Sequence, residues 1–444
     1  MRFCQGISRT WRRATLGRHP RTDTRVLFSN NGEFQNMTHT FSKLAVTAVA
    51  LLAFGARAKP PATEDLVRAR TLVFGAENVD QRTGQVDQGK VIFSWLTNAT
   101  LAASVKGHVV LLDTYVHRAE IVPGRTPFVV EDLVSLNPEA AFLGHGHFDH
   151  ADNAAWIGGK LGIPIFASAE TCADLKNLDM PNLTSPPPSG TGALPKGTTL
   201  DCRDVTSFGS HPGAEIVKIN VLEPVASITA FRHFHSGTSY PETGFPITPV
   251  KNIADPRDAD MYSPIGRIPH SFPTKGRIGG PISIYYQFVV RGDHNFTFVW
   301  HNTTGDLNHG CTIDHGVPNC WDDMFPAEHV SANVRNRIAS LSETDIEFGS
   351  FVSLGFAVTG MRDPIQNSAT LKPKVYVPIH QTNAAQPTSS LYFKVAYMAQ
   401  LEQMLPPLTP EQRPEARWMV DPDDYLKPMV YDPKDVRWKK VGEK

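Results

Sequence analysis

The run Gly144-His145-Gly146-His147-Phe148-Asp149-His150 constrains this chain more than any other stretch. It sets three imidazoles and a carboxylate in the pattern H-x-H-x-D-H, directly after the apolar Ala140-Ala141-Phe142-Leu143. A chain that reverses at the end of a strand can aim such closely spaced side chains into one small volume. Imidazole nitrogen and carboxylate oxygen are the ligands that suit Zn²⁺ and its divalent neighbours. A single loop histidine needs no metal, but four ligand-type side chains at this spacing read as a metal site.

Around that loop, strand and helix patterns mix. Extended apolar runs recur at 91–96, 109–112, 216–222, 228–231, 282–290 and 296–300, with helical stretches at 153–161, 327–341 and 391–405. This mixture predicts a layered α/β architecture, with one domain over residues 59–405. A Pro-spaced tail, 406–444, is expected to run over the surface. Pro181 to Lys196 reads as a loop. Residues 236–280 are too long, and too rich in Pro, Gly and Tyr, for a plain connector.

Residues 37–58 read as a secretory signal peptide: Lys43, an apolar run over 44–55, and the small-residue ending Ala56-Arg57-Ala58. The run falls short of the roughly 20 residues that a membrane-spanning helix needs, so no stable membrane span is expected. The arginine-rich residues 1–36 then form an over-extended N-terminus, with Met37 as the true start. Cleavage after Ala58 would release a periplasmic or secreted chain. Residues 1–58 carry nine Lys+Arg and two Asp+Glu, so the remainder holds 34 basic and 42 acidic residues, a net charge of −8. Such a chain lacks the basic footprint of a nucleic-acid binder. Beyond Ala58 it retains Cys172, Cys202, Cys311 and Cys320. An even count in an oxidising compartment permits two disulfides in three possible pairings, with Cys172–Cys202 and Cys311–Cys320 as the sequence-local choice.

Four further motifs accompany the histidine run. Trp95-Leu96-Thr97-Asn98-Ala99-Thr100 resembles W-L-G-H-A-T, and Leu111-Leu112-Asp113-Thr114 resembles L-L-D-T. The stretch from Ser227 to His235-Ser236 is similar to V-T-A-V-P-A-x-H-S, and Val375-Tyr376-Val377-Pro378-Ile379-His380 to V-x-x-P-I-H. Together these resemble the metallo-β-lactamase-fold hydrolase superfamily, in particular its lactonase-like and phospholipase-D-like branches, over most of residues 85–405. The resemblance implies a single-domain, four-layer αββα sandwich. It assigns one metal to His145, His147 and His235 and a second to Asp149, His150 and His380. Asp306, in a turn after the run 296–300, would bridge the two. Asp113 would buttress the metal loop, and His233, ranked behind His235 as a ligand, would touch the metal shell or substrate. Asn98 stands where the family carries a histidine.

Two divalent ions, zinc foremost with manganese or iron as alternatives, would lower the pKa of bound water toward neutrality. The resulting hydroxide would cleave an ester, lactone or phosphodiester bond in a small molecule, with Asp149 also carrying a proton to the leaving group. Two other readings compete. One is a mononuclear iron oxidoreductase similar to persulfide dioxygenases, against which His380 and the secreted setting speak. The other is a metal-stabilised binding protein without turnover. The segment 236–280 follows His235 directly and is expected to cap the site with Tyr240, Phe245, Tyr262 and Phe272.

Overall fold

The computed structural model describes residues 63–116, 130–184, 194–236, 278–314, 317–351, 361–380, 387–403, 408–419 and 424–440. The leader expected over 1–58 lies outside these residues, as do 237–277 with the four aromatic side chains of the expected cap.

The first sheet begins with β1 (Val91–Thr97), β2 (Thr100–Val105), β3 (His108–Leu112), β4 (Ala140–Phe142), β5 (Ile165–Ala167) and β6 (Cys202–Asp204). The second contains β7 (Val217–Ile219), β8 (Ala226–His233), β9 (Ser283–Val290) and β10 (Phe296–Trp300). After a separate hairpin, β11 (Cys311–Asp314) and β12 (Val317–Cys320), it continues with β13 (Ile346–Ser350) and β14 (Val375–Ile379). Two strands from the C-terminal segment, β15 (Glu415–Ala416) and β16 (Met429–Tyr431), complete the sheets. The orders are β16-β1-β2-β3-β4-β5-β6 and β15-β14-β13-β10-β9-β8-β7. Each sheet is antiparallel at one end and parallel at the other: β3 to β6 run parallel in the first, and β10, β13, β14 and β15 in the second.

The strands that read as unbroken apolar runs are those covered on both faces. β1 and β10 are buried at every position, as expected where a sheet meets another sheet on one side and helices on the other. Aromatic rings fill the space between the sheets. Phe93 of β1 packs 4.8 Å from Phe298 and 4.4 Å from Phe348, and Phe142 of β4 packs 5.2 Å from Phe288. Burying one such ring stabilises the fold by about 1.5–3 kcal/mol. Helix Thr63–Phe74 adds Ala69, Val73 and Phe74 to this core. Helix Val330–Ala339 packs Val334 and Ile338 with Phe231 and Val299 of the second sheet, and helix Pro387–Glu402 packs Phe393 and Tyr397 with Tyr376 and Trp418. The result is the expected αββα sandwich.

Cys172–Cys202 joins helix Ala169–Asp174 to β6, and Cys311–Cys320 closes the β11–β12 hairpin. Both pairs are the sequence-local ones. Among the described residues, no helix is long and apolar enough to cross a membrane. The C-terminal segment reaches both sheets. Trp438 packs 5.2 Å from Phe296, and Lys440 Nζ meets Asp345 Oδ2 at 2.6 Å beside β13.

Candidate metal centre

Both sheets bring the carboxyl ends of strands to one edge, where open α/β sheets collect their functional side chains. Asp113 follows β3, the loop from Gly144 to His150 follows β4, His235 follows β8, and His380 follows β14. Two of these turns, and the β1–β2 turn beside them, hold left-handed backbone at a non-glycine residue: Asp113 (φ 59°), His380 (φ 67°) and Asn98 (φ 49°). Asn and Asp tolerate that region. At His380 it is strained backbone of the kind found at functional sites.

Six of the seven expected ligands converge. His145, His147 and His235 offer ligand atoms within 4.8 Å of one another, as do His145, Asp149 and His150. His235 Nε2 lies 3.1 Å from His147 Nδ1. In the other half, His150 Nε2 lies 2.9 Å from His380 Nε2, and Asp149 Oδ2 lies 3.4 Å and 3.3 Å from the same two nitrogens. His145 and His150 link the halves, with ring centres 4.0 Å apart.

The far side of several rings shows which nitrogen is free. His235 Nδ1–H donates to the Ser236 carbonyl (2.6 Å). His150 Nδ1–H donates to Asp113 Oδ2 (2.6 Å), and His145 Nδ1–H donates to Asn302 Oδ1 (2.8 Å). Each of these imidazoles therefore turns Nε2 toward the centre. Tetrahedral ligands 2.0–2.1 Å from zinc stand about 3.3 Å from one another. The 3.1 Å pair in the first half and the 2.9, 3.4 and 3.3 Å spacings in the second lie near that value.

Electrostatics separate the halves. Burial pushes His145 and His235 well below the ordinary imidazole range, and the neighbouring histidines push them further. Both are thus neutral, as ligation requires. Burial also pulls His150 down, but the Asp149 and Asp113 carboxylates overcome it and raise the group to about 10. Burial would raise Asp149, yet His150 and His380 hold it well below the usual carboxylate range. The first half is an all-imidazole site, and the second carries its own anion.

Around the ligands, Asn98 Nδ2 donates to Asp149 Oδ2 (3.0 Å) and to the Asp149 carbonyl (2.9 Å). The Asn98 carbonyl accepts from the His380 amide (2.9 Å). Asparagine at 98 thereby steadies the second half where the resemblance would place a histidine. Asp113 accepts the Gly144 amide at Oδ1 (3.0 Å) besides His150 at Oδ2, and so holds both ends of the Gly144–His150 loop. On the opposite flank Gly280 lies against His147: a Cβ there would come within 3.1 Å of Nε2.

Two expectations come out differently. Asp306 is not in the cluster. It is fully buried, and its carboxylate accepts from His309 Nδ1 (2.9 Å) and the Asn308 amide (2.9 Å), with Arg362 Nη1 at 3.6 Å. The residue that follows β10 into the site is Asn302, four positions earlier. The assignment to Asp306 followed the resemblance; Asn302, the second residue past the strand end, reads in the sequence as an ordinary polar turn residue. His233 is buried on the other side of the chain from His235. Its ring packs 5.4 Å from Tyr285 and 5.8 Å from His301, and both its nitrogens lack a hydrogen-bond partner.

No protein-family model and no curated protein matches this chain. Similar solved structures include a metallo hydrolase from the hyperthermophilic archaeon Ignicoccus hospitalis. It is 12% identical, with 77% of this chain and 98% of that one covered and a TM-score of 0.41. A B3 metallo-beta-lactamase with an active-site glutamic acid is 13% identical over 70% of this chain and 96% of its own, with a TM-score of 0.31. Zn(2+)-bound PqqB from Methylobacterium extorquens is 12% identical over 63% and 75%, with a TM-score of 0.32. Likenesses this distant assign no chemistry, which must be read from the side chains themselves. Two mixed sheets packed face to face between helices, with the H-x-H-x-D-H loop at their shared edge, give this chain the architecture of the metallo-β-lactamase-like fold.

Proposed function

We propose that this chain is a metal-dependent hydrolase that holds two divalent ions, zinc foremost. One would be held by His145, His147 and His235, the other by Asp149, His150 and His380. The observation that carries this reading is the convergence of ligand-type nitrogens: imidazole nitrogens from separate loops face one another at about 3 Å in both halves. When bound, the ions supply an activated water near neutral pH and an electrophilic partner for the substrate oxygen. The protein's own part is to hold that geometry and to move a proton. Asp149 Oδ2, fixed by Asn98 and facing His150 and His380, is the group placed to accept a proton and return it to a leaving group.

With Asp306 engaged elsewhere, no protein carboxylate other than Asp149 faces both halves among the described residues. The set is therefore six side chains instead of the seven expected. The presence of His380 2.9 Å from His150 supports two ions over a single iron. Ester, lactone or phosphodiester bonds of a small molecule remain the proposed targets. The proposed setting is periplasmic or secreted, in keeping with the leader expected from the sequence over 37–58 and with two disulfides.

The test is metal analysis of the purified chain coupled to a panel of lactone, β-lactam, aryl-ester and phosphodiester substrates. Two zinc equivalents and turnover that is lost with chelator and restored with zinc are expected. A single iron with O₂ uptake, or full metal occupancy with no turnover on any substrate, would overturn the reading.

A further inference from the structure

We infer that Asn302 is a positioning residue whose one amide aims a ligand nitrogen into each half of the site. This rests on the two-ion reading above. Asn302 is fully buried, and its amide can be oriented in only one way. Asp113 Oδ2, at 2.8 Å, can only accept, so the Asn302 nitrogen faces it and donates. The amide oxygen then faces His145 Nδ1 at 2.8 Å and accepts its proton. That bond leaves His145 Nε2 bare for ligation. The second bond acts on the other half. Asp113 Oδ2 also accepts His150 Nδ1–H, so the Asn302 nitrogen holds in place the carboxylate that fixes the His150 tautomer. Asn302 Nδ2 stands 3.0 Å from His150 Nδ1; both are donors, so the pair is kept together by the carboxylate they share.

The backbone is cut to fit this amide. A Cβ at position 144 would fall 2.1 Å from Asn302 Cγ, closer than any side chain tolerates, so glycine at 144 and asparagine at 302 are complementary. Asp113 leaves the first sheet and Asn302 the second, so the relay also ties the two sheets at the site. An aspartate at 302 would keep the acceptor for His145 but would set two acceptors against each other at the Asp113 contact.

The experiment loads the full chain with Co(II), reads affinity by chelator competition, and reads the histidine N–H protons as paramagnetically shifted resonances. In the native protein, the N–H protons of His145 and His150 should both appear and exchange slowly in D₂O. Asn302→Ala should lose the His145 resonance and weaken binding by about 10- to 100-fold, the usual effect of removing an outer partner. Asn302→Asp should keep the His145 resonance and lose affinity. Native affinity with both resonances in Asn302→Ala would overturn the inference and leave the two-ion reading standing. If that variant does not fold, rapid exchange of the His145 proton in the native Co(II) protein overturns it equally. No Co(II) uptake by the native chain would overturn both.

Discussion

His150 and His301 are both fully buried, both lie beyond the carboxyl end of a strand, and both contact a carboxylate. Only one of them offers a nitrogen. His150 gives Nδ1–H to Asp113 and turns Nε2 toward His380 and Asp149. His301 spends both: Nδ1–H donates to the Thr303 carbonyl (3.0 Å) and Nε2 meets Glu347 Oε1 (3.0 Å). The other Glu347 oxygen accepts from Ser368 Oγ (2.7 Å), which accepts from Tyr397 (2.9 Å). The lesson is that a cluster of histidines and carboxylates has the geometry a metal ion would need only where ligand nitrogens from different loops are turned toward one another. Where each is claimed, the same residue types form an internal brace.

The brace should break hardest. Glu347→Ala leaves His301 and Ser368 without their buried partner and should destabilise the fold by about 3–5 kcal/mol in a denaturant titration, with the metal content of the folded fraction unchanged. A loss of metal there would erase the distinction between the two groups. His150→Ala acts on the other side of the comparison. It should lower affinity for one of two ions by more than about 100-fold, beyond the effect of an outer partner, and it also costs stability because Asp113 loses a buried partner. Asp306→Ala comes next. It frees His309 and the Asn308 amide and should cost about 1–3 kcal/mol of stability with metal stoichiometry intact; loss of an ion in isothermal titration would restore Asp306 to the bridging place. The smallest effect is expected for Tyr397→Phe, which removes one hydroxyl from the end of the brace, at about 0.5–1.5 kcal/mol.

The loop from His145 to His150 was legible because its ligands are contiguous, and no folding step is needed to see them together. His235 and His380 were legible only through the resemblance of the stretches that end in them, Ser227 to Ser236 and Val375 to His380, to motifs of the superfamily. Asn302 was not, because an asparagine after a strand has the signature of an ordinary turn; its role exists only once Asp113 arrives from the other sheet. Asp306 was misplaced for the complementary reason. A carboxylate after β10 has the right chemistry, but its direction is set by Arg362 and His309, which no local pattern reveals. The long strands β1, β9 and β10 announce themselves by unbroken apolar runs, whereas β4, β5 and β6 span three residues each, too short for any periodicity to register. The apolar stretch 216–222 yields only Val217–Ile219 as strand.

The last strands also bear on how the molecule can be made. β16 covers β1 and β15 covers β14, so neither sheet has its final edge until residues 415–431 are in place. On a ribosome, the proposed ligands up to His380 would emerge while both β1 and β14 still present unpaired backbone, an invitation to pair with a neighbouring chain. The closing residues thus serve as a safeguard during synthesis, and a stop codon shortly after the last ligand would yield a chain with every ligand and two sticky edges.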